Sequence, residues 1–166
     1  LSRKLYYFSK AITRSAEEAE EIVEDVFVKL WCNRYQVMTI DNLTVYLYVS
    51  VKNRSLNAVA RRANKLITAP FDELDVEISE LAPDPYKLMI TAEMMKQMQQ
   101  AVESLPPRCK MIFKLVREDG LKYKEVAEIL NISVNTIDVQ MAIATKKICT
   151  ALESTGIYLL SKKYIR

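Results

Sequence analysis

Ala19, Ile22, Val23, Val26, Phe27, Leu30 and Trp31 recur at i, i+3, i+4, i+7, i+8, i+11 and i+12. That spacing predicts an amphipathic helix with one complete apolar face. Ser15 and Glu18, just ahead of it, have the spacing of a capping box. Glu17, Glu21, Glu24, Asp25 and Val28 fall on the opposite side. Residues 1–13, apolar and aromatic with Lys and Arg interspersed, predict a helix packed on this one. Residues 33–42 break the period and read as a loop. Asp41 or Asn42 then caps a longer helix that runs to about Arg62. Its first half is apolar on more than one side, and its second half, from Lys52, is basic and amide-rich.

The helical period is lost from Asn64 to about Ile90, where Pro70, Pro83 and Pro85 punctuate an acidic stretch. So long an unpatterned segment reads as a linker between two domains. The period resumes at Thr91 or Ala92 and stops at Leu105-Pro106-Pro107. Pro107 suits the first turn of the next helix, residues 108–119. That helix turns Met111, Ile112, Leu115 and Val116 inward, with Gly120 as its C′ residue.

Residues 121–147 predict two helices and a tight turn. Val126, Ala127 and Leu130 share a face of the first. Asn131 stands where such turns need a left-handed residue, and Ser133 is a natural N-cap for the second. Ile137, Met141, Ala144 and Ile148 form a buried stripe, which leaves Asn135, Thr136, Asp138, Val139, Ala142 and Lys146 outward. This is the pattern of a helix-turn-helix that enters a DNA major groove. An ordinary helical hairpin shares the spacing. The tail, residues 154–166, is apolar enough to pack but too short to assign.

Composition sharpens the class. Two Gly and five Pro in 166 residues, half of them hydrophobic, suit an all-α protein with a real core. Three dispersed cysteines, no Cys-x-x-Cys pair and no histidine exclude a zinc site and point to reduced thiols in a cytosolic protein. The missing histidine and the lack of a Gly-rich phosphate loop point away from an enzyme. No apolar run approaches the roughly 20 residues that span a membrane, and residues 1–13 do not resemble a secretion signal. The formal charge of +3 divides into +4 over residues 1–65, −5 over 66–87 and +4 over 88–166. Basic blocks around an acidic connector suit a polyanionic partner.

Two surfaces carry candidate chemistry. Tyr46, Tyr48, Asn53, Arg54, Asn57, Arg61 and Arg62 combine aromatic faces, amides and guanidinium groups, which single-stranded nucleic acid binding requires. A half-buried helix with a solvated basic end would use the same residues. In the second surface, Asn135 and Gln140 can pair with adenine, and Thr136 and Val139 can touch a thymine methyl. Lys122, Lys124, Lys146 and Lys147 can reach phosphates on either side. The acidic face around Glu21 reads as solvated surface or as a dock for a basic helix.

In order along the chain, these segments resemble a bacterial extracytoplasmic-function (ECF) sigma factor of the sigma-70 family. AEEIVEDVFVKLW at residues 19–31 is similar to the family's AEDLVQEVFLKLW. Tyr46-Leu47-Tyr48 with Asn53-Arg54 and Arg61-Arg62 resembles its YLYxxxxNR…RR helix. Leu105-Pro106-Pro107-Arg108 followed by DGLKYKEVA is similar to LPPR…EGLSYKEIA. The resemblance implies a σ2-like bundle over residues 1–65, N-terminally truncated by about one helix. A flexible acidic linker over 66–90 and a σ4-like helix-turn-helix domain over 91–166 would follow. It implies no catalysis, no cofactor and no metal. The implied partners are core RNA polymerase, promoter DNA and an anti-sigma factor, without direct membrane insertion of this chain and with a cytoplasmic location. Glu21, Glu24 and Asp25 would meet the polymerase β′ coiled coil, although the family has an amide where Glu24 stands. Residues 33–42 would capture a flipped base of the minus-ten element. Asn53, Arg54, Asn57, Arg61 and Arg62 would hold the non-template strand. The helix-turn-helix would read the minus-thirty-five element and touch the β flap. It is poor in base: the family places Arg or Lys where Asp138, Ala142 and Ile143 stand. A stand-alone helix-turn-helix regulator of duplex DNA and a protein-binding helical adaptor are the competing readings.

Overall fold

The computed structural model describes residues 1–62 and 92–153, which are helical with no strand among them. The expected linker and tail lie outside these residues. Helix α1, Ser2–Thr13, buries Leu5, Phe8 and Ile12 along one stripe and ends at Arg14, whose left-handed φ of 56° was not foreseen. Helix α2, Ala16–Cys32, opens on Ser15, whose hydroxyl accepts the Glu18 N–H at 3.2 Å. The predicted capping box is only half formed. The Ser15 N–H goes to Thr13 Oγ1, and the Glu18 carboxylate turns to Arg62.

The apolar stripe of α2 outlasts its packing partners. Ala19, Ile22, Val23 and Val26 are buried, Phe27 and Leu30 half-buried, and Trp31 is 72 % exposed. The segment expected as a loop contains a 3-10 helix, Arg34–Thr39. Helix α3, Leu43–Arg62, is capped by Asn42, whose side-chain oxygen accepts the Val45 N–H at 3.1 Å. It packs on α1 and α2 and also on α6 (Tyr123–Leu130). Two sets of neighbours explain why its first half is apolar on more than one side.

Helix α4, Ala92–Glu103, and helix α5, Pro107–Arg117, both pack against α7, Val134–Glu153. Pro107 occupies the first turn of α5, where a missing N–H costs nothing. After α5 the chain turns through Gly120 at φ 76°. Helix α6 ends at Asn131, φ 55°, and the Ile132 N–H satisfies the Ala127 carbonyl at 3.0 Å. Ser133 then caps α7 by accepting the Thr136 N–H at 3.0 Å. Ile137, Met141, Ala144 and Ile148 are all buried, as the pattern predicts. Each large side chain so buried contributes about 1.5–3 kcal/mol. The cores of the two halves join in one cluster.

Candidate functional site

Helix α2 presents an acidic ridge. Its core stripe fixes the rotation of the helix, so Glu21 and Glu24 point to solvent. Glu24 also lines a shallow groove against α1 with Ser2, Arg3, Tyr6, Glu20 and Val23. Asp25, grouped with Glu21 and Glu24 at the sequence level, is exposed but paired: its Oδ2 accepts from Arg54.

Helix α3 divides its five candidate residues. Asn53, Asn57 and Arg61 recur every four residues and form one exposed ridge. Arg61 Nε donates to the Asn57 carbonyl at 3.4 Å. Arg54 and Arg62 are held by neighbouring elements. Arg62 donates to Glu18 and, at 3.0 Å, to the Thr13 carbonyl, which staples α3 to the ends of α1 and α2. Tyr46 is partly exposed, whereas Tyr48 is fully buried with its ring edge-on to Phe8. The expectation that Tyr48 stacks on bases therefore fails in this conformation, because its ring is part of the core.

On α7 the buried stripe turns Asn135, Asp138, Val139, Ala142, Ile143, Lys146 and Lys147 to solvent. Thr136 and Gln140 are only half exposed. The Thr136 hydroxyl is hydrogen-bonded to that of Ser133, and the Gln140 carbonyl accepts from Cys109 Sγ at 3.2 Å. Burial pushes the Cys109 thiol up, and Lys147 only partly offsets it. Lys122 and Lys124 are exposed on α6. The face open to a groove is thus polar at its start, apolar at its middle and basic at its end, with Asp138 against the trend. Among the described residues no three His, Cys, Asp or Glu side chains gather as a metal site would require, and no helix is long and apolar enough to cross a membrane.

Two features escape sequence reading. The first is an apolar groove of about 610 Å³ at the end of α2, lined by Phe27, Val28, Leu30, Trp31, Val37 and Met38. Arg34 lies over the rings of Trp31 and Tyr35, 5.6 and 4.9 Å from their centroids. The second is a polar contact between the two halves of the chain. Tyr48 Oη donates to Asp119 Oδ2 at 2.7 Å, and Lys52 Nζ to the Ile129 carbonyl at 2.8 Å. Asn42 Nδ2 donates to Glu125 Oε1, and Lys4 Nζ to the Asp119 carbonyl, each at 2.8 Å. Lys114 lies over the Tyr7 ring at 5.3 Å. Burial pushes the Tyr48 hydroxyl far up, and the Asp119 carboxylate adds to it. Burial pulls the Lys52 ammonium down. These partners are 71 to 115 residues apart, so no local motif marks them.

Residues 1–65 match the family model for Sigma-70 region 2, and residues 95–148 match that for Sigma-70, region 4. The chain is also 23 % identical over 136 residues to the ECF RNA polymerase sigma factor SigE of Mycolicibacterium smegmatis, covering 81 % of this chain and 51 % of that protein. It is 23 % identical over 146 residues to SigW of Bacillus subtilis, covering 81 % and 75 %. Against the ECF RNA polymerase sigma-E factor of Escherichia coli it is 23 % identical over 127 residues, covering 72 % and 66 %. The chain thus spans about half the length of the first of these relatives and more of the others.

Proposed function

Since the chain belongs to the sigma-70 family, in its extracytoplasmic-function group, we propose that it is an alternative sigma factor. In this role it binds core RNA polymerase and directs it to promoters, in the cytoplasm and without catalysis of its own. The observation that carries the reading is the presence of two separate DNA-suited surfaces in one chain. One is the ridge of Asn53, Asn57 and Arg61 on α3, and the other is the outward face of α7. A stand-alone duplex regulator has no use for the first.

The finer assignments follow from these surfaces. Glu21 and Glu24 meet the β′ coiled coil, with Asp25 contributing through Arg54. Asn53, Arg54, Asn57, Arg61 and Arg62 follow the non-template strand, with the arginines neutralising phosphates. Residues 33–42, which contain the 3-10 helix Arg34–Thr39, take the minus-ten base. Lys122, Lys124 and Lys146 flank a minus-thirty-five contact made by Asn135, Thr136, Val139 and Gln140, and the same domain touches the β flap. An anti-sigma factor is the remaining partner. The exposed apolar groove at Trp31 has the character of a surface that a partner protein covers.

Titration of core polymerase onto a fluorescently labelled chain tests the reading. Saturable binding, weakened by Glu21→Lys with Glu24→Lys, is the expected result. Lack of binding, with promoter duplex bound equally well in the absence of polymerase, would replace it with the regulator reading.

A further inference from the structure

The outward stripe of α7 carries a charge that the helix itself does not explain. Asn135, Asp138, Val139, Ala142, Ile143 and Lys146 are all exposed and recur at helical spacing, opposite the buried Ile137, Met141, Ala144 and Ile148. Asp138 lies between Asn135 and Ala142 on that stripe, so a groove that takes the helix meets it. Three ordinary roles of a surface aspartate fail here. It does not cap the helix, because Ser133 does. It is the fifth residue of Val134–Glu153, past the first turn, where the attraction of a helix N-terminus for anions has faded. It has no basic neighbour on its own helix. Asn135, Met141, Val134 and Ala142 stand three and four residues away, and Lys146 is about 12 Å further along the axis. Among the described residues no hydrogen bond or ion pair engages its carboxylate.

An ionised carboxylate can only accept hydrogen bonds. In the major groove guanine shows two acceptors, N7 and O6, and thymine shows the O4 acceptor and a methyl group. Neither offers the carboxylate a donor. Adenine offers its N6 amino group, but beside the N7 acceptor. Cytosine offers its N4 amino group with no acceptor next to it. Base-edge chemistry therefore ranks cytosine first opposite Asp138. The surroundings add a second preference. Val139 is 56 % and Ile143 38 % exposed, and with Ala142 they set an apolar surface beside the carboxylate. Such a surface suits the C5-methyl group of thymine.

We propose that Asp138 is a base-reading residue of the minus-thirty-five contact. Its carboxylate accepts the N4 amino group of a cytosine, and Val139, Ala142 and Ile143 pack on thymine methyls within a pair or two of it. This rests on the sigma-factor reading and assigns a specificity to its second DNA surface. The charge weakens binding to every sequence through the phosphates, while the base contact selects at one position.

Holoenzyme reconstituted from core polymerase and the full chain tests this on duplex templates randomised upstream of the start site. Templates retained in heparin-resistant complexes are recovered and sequenced. Wild type should favour cytosine at one position of the upstream element, with thymine beside it, by about five-fold or more over other bases. Asp138→Asn keeps the shape of the side chain, and its amide should move that position to adenine. Asp138→Ala should leave the position without preference. Neither variant should change the minus-ten preferences. Deoxyuridine in place of the adjoining thymines removes only the methyl groups and should weaken retention by wild type several-fold. Equal retention on that template would overturn the methyl contacts. A pure charge effect would raise retention of all templates alike and leave the base preference of both variants as in wild type. That result would overturn the assignment, as would a selected element with no cytosine position, and both would leave the sigma-factor reading standing. Retained templates with no shared element, despite active core enzyme, would overturn both.

Discussion

The two carboxylate oxygens of Glu125 serve different parts of the chain. Oε2 accepts the Lys122 N–H at 2.8 Å and closes the first turn of α6, while Oε1 accepts the Asn42 amide at 2.8 Å from the loop before α3. Both hydrogen bonds favour the ionised form, the backbone one most, and hold the carboxyl below its ordinary value of 4.5. An acid with a lowered pKa in the folded state adds stability that is fully present above about 4.5. That contribution is lost as the pH falls through the folded value. Glu125→Gln should therefore lower the melting temperature at neutral pH and flatten its decline on acidification. Parallel melting curves for the two proteins on the acid side would contradict this.

Asp119 has the opposite sign. Burial pushes its carboxyl above the ordinary 3.8, and Tyr48, Lys114 and Lys4 only partly restore it. Its contribution is greatest below about pH 3.8 and is lost as the pH rises through the folded value. Asn at this position keeps an acceptor for the Tyr48 hydroxyl without the buried charge. Urea midpoints should show Asp119→Asn at least as stable as wild type at neutral pH, with no advantage below about pH 3.8. A clear loss at neutral pH would show that the lysines outweigh burial.

Arg61 and Arg62 are adjacent in sequence but differ in role. Arg61→Ala should leave stability within about 0.5 kcal/mol and reduce the salt dependence of nucleic-acid binding by about one phosphate contact. Arg62→Ala should also cost up to about 1 kcal/mol, because it loses the Glu18 and Thr13 contacts at a partly exposed site. Equal stability of the two variants in urea would contradict the division.

Asp138 opposes DNA binding on the exposed face of α7. Asp138→Arg should tighten duplex binding by the full chain, most at low salt, and steepen the log–log salt slope by about one unit. Fluorescence anisotropy across a salt series measures both. No change in either would mean that this face of α7 does not meet DNA.

The elements were legible where their ends carry local chemistry. Asn42, Asn131 and Ser133 each mark a helix boundary through a bond within a few residues, Pro107 marks one through its missing N–H, and the spacing of Ile137, Met141, Ala144 and Ile148 sets the rotation of α7. Trp31 misled because periodicity shows which side of a helix is apolar, not where its packing partners stop. Tyr48 misled for a related reason. An aromatic ring on a basic helix reads as a base-stacking contact, and its actual partner, Asp119, lies 71 residues away. Only the folded chain brings such groups together.

The most direct test of the sigma-factor role is in vitro transcription by core polymerase on genomic DNA fragments, with and without this chain, followed by mapping of the 5′ ends. The expected result is a set of start sites that appear only with the chain and share paired upstream elements near minus ten and minus thirty-five. An unchanged set of start sites, despite a folded chain and active core enzyme, would contradict that role.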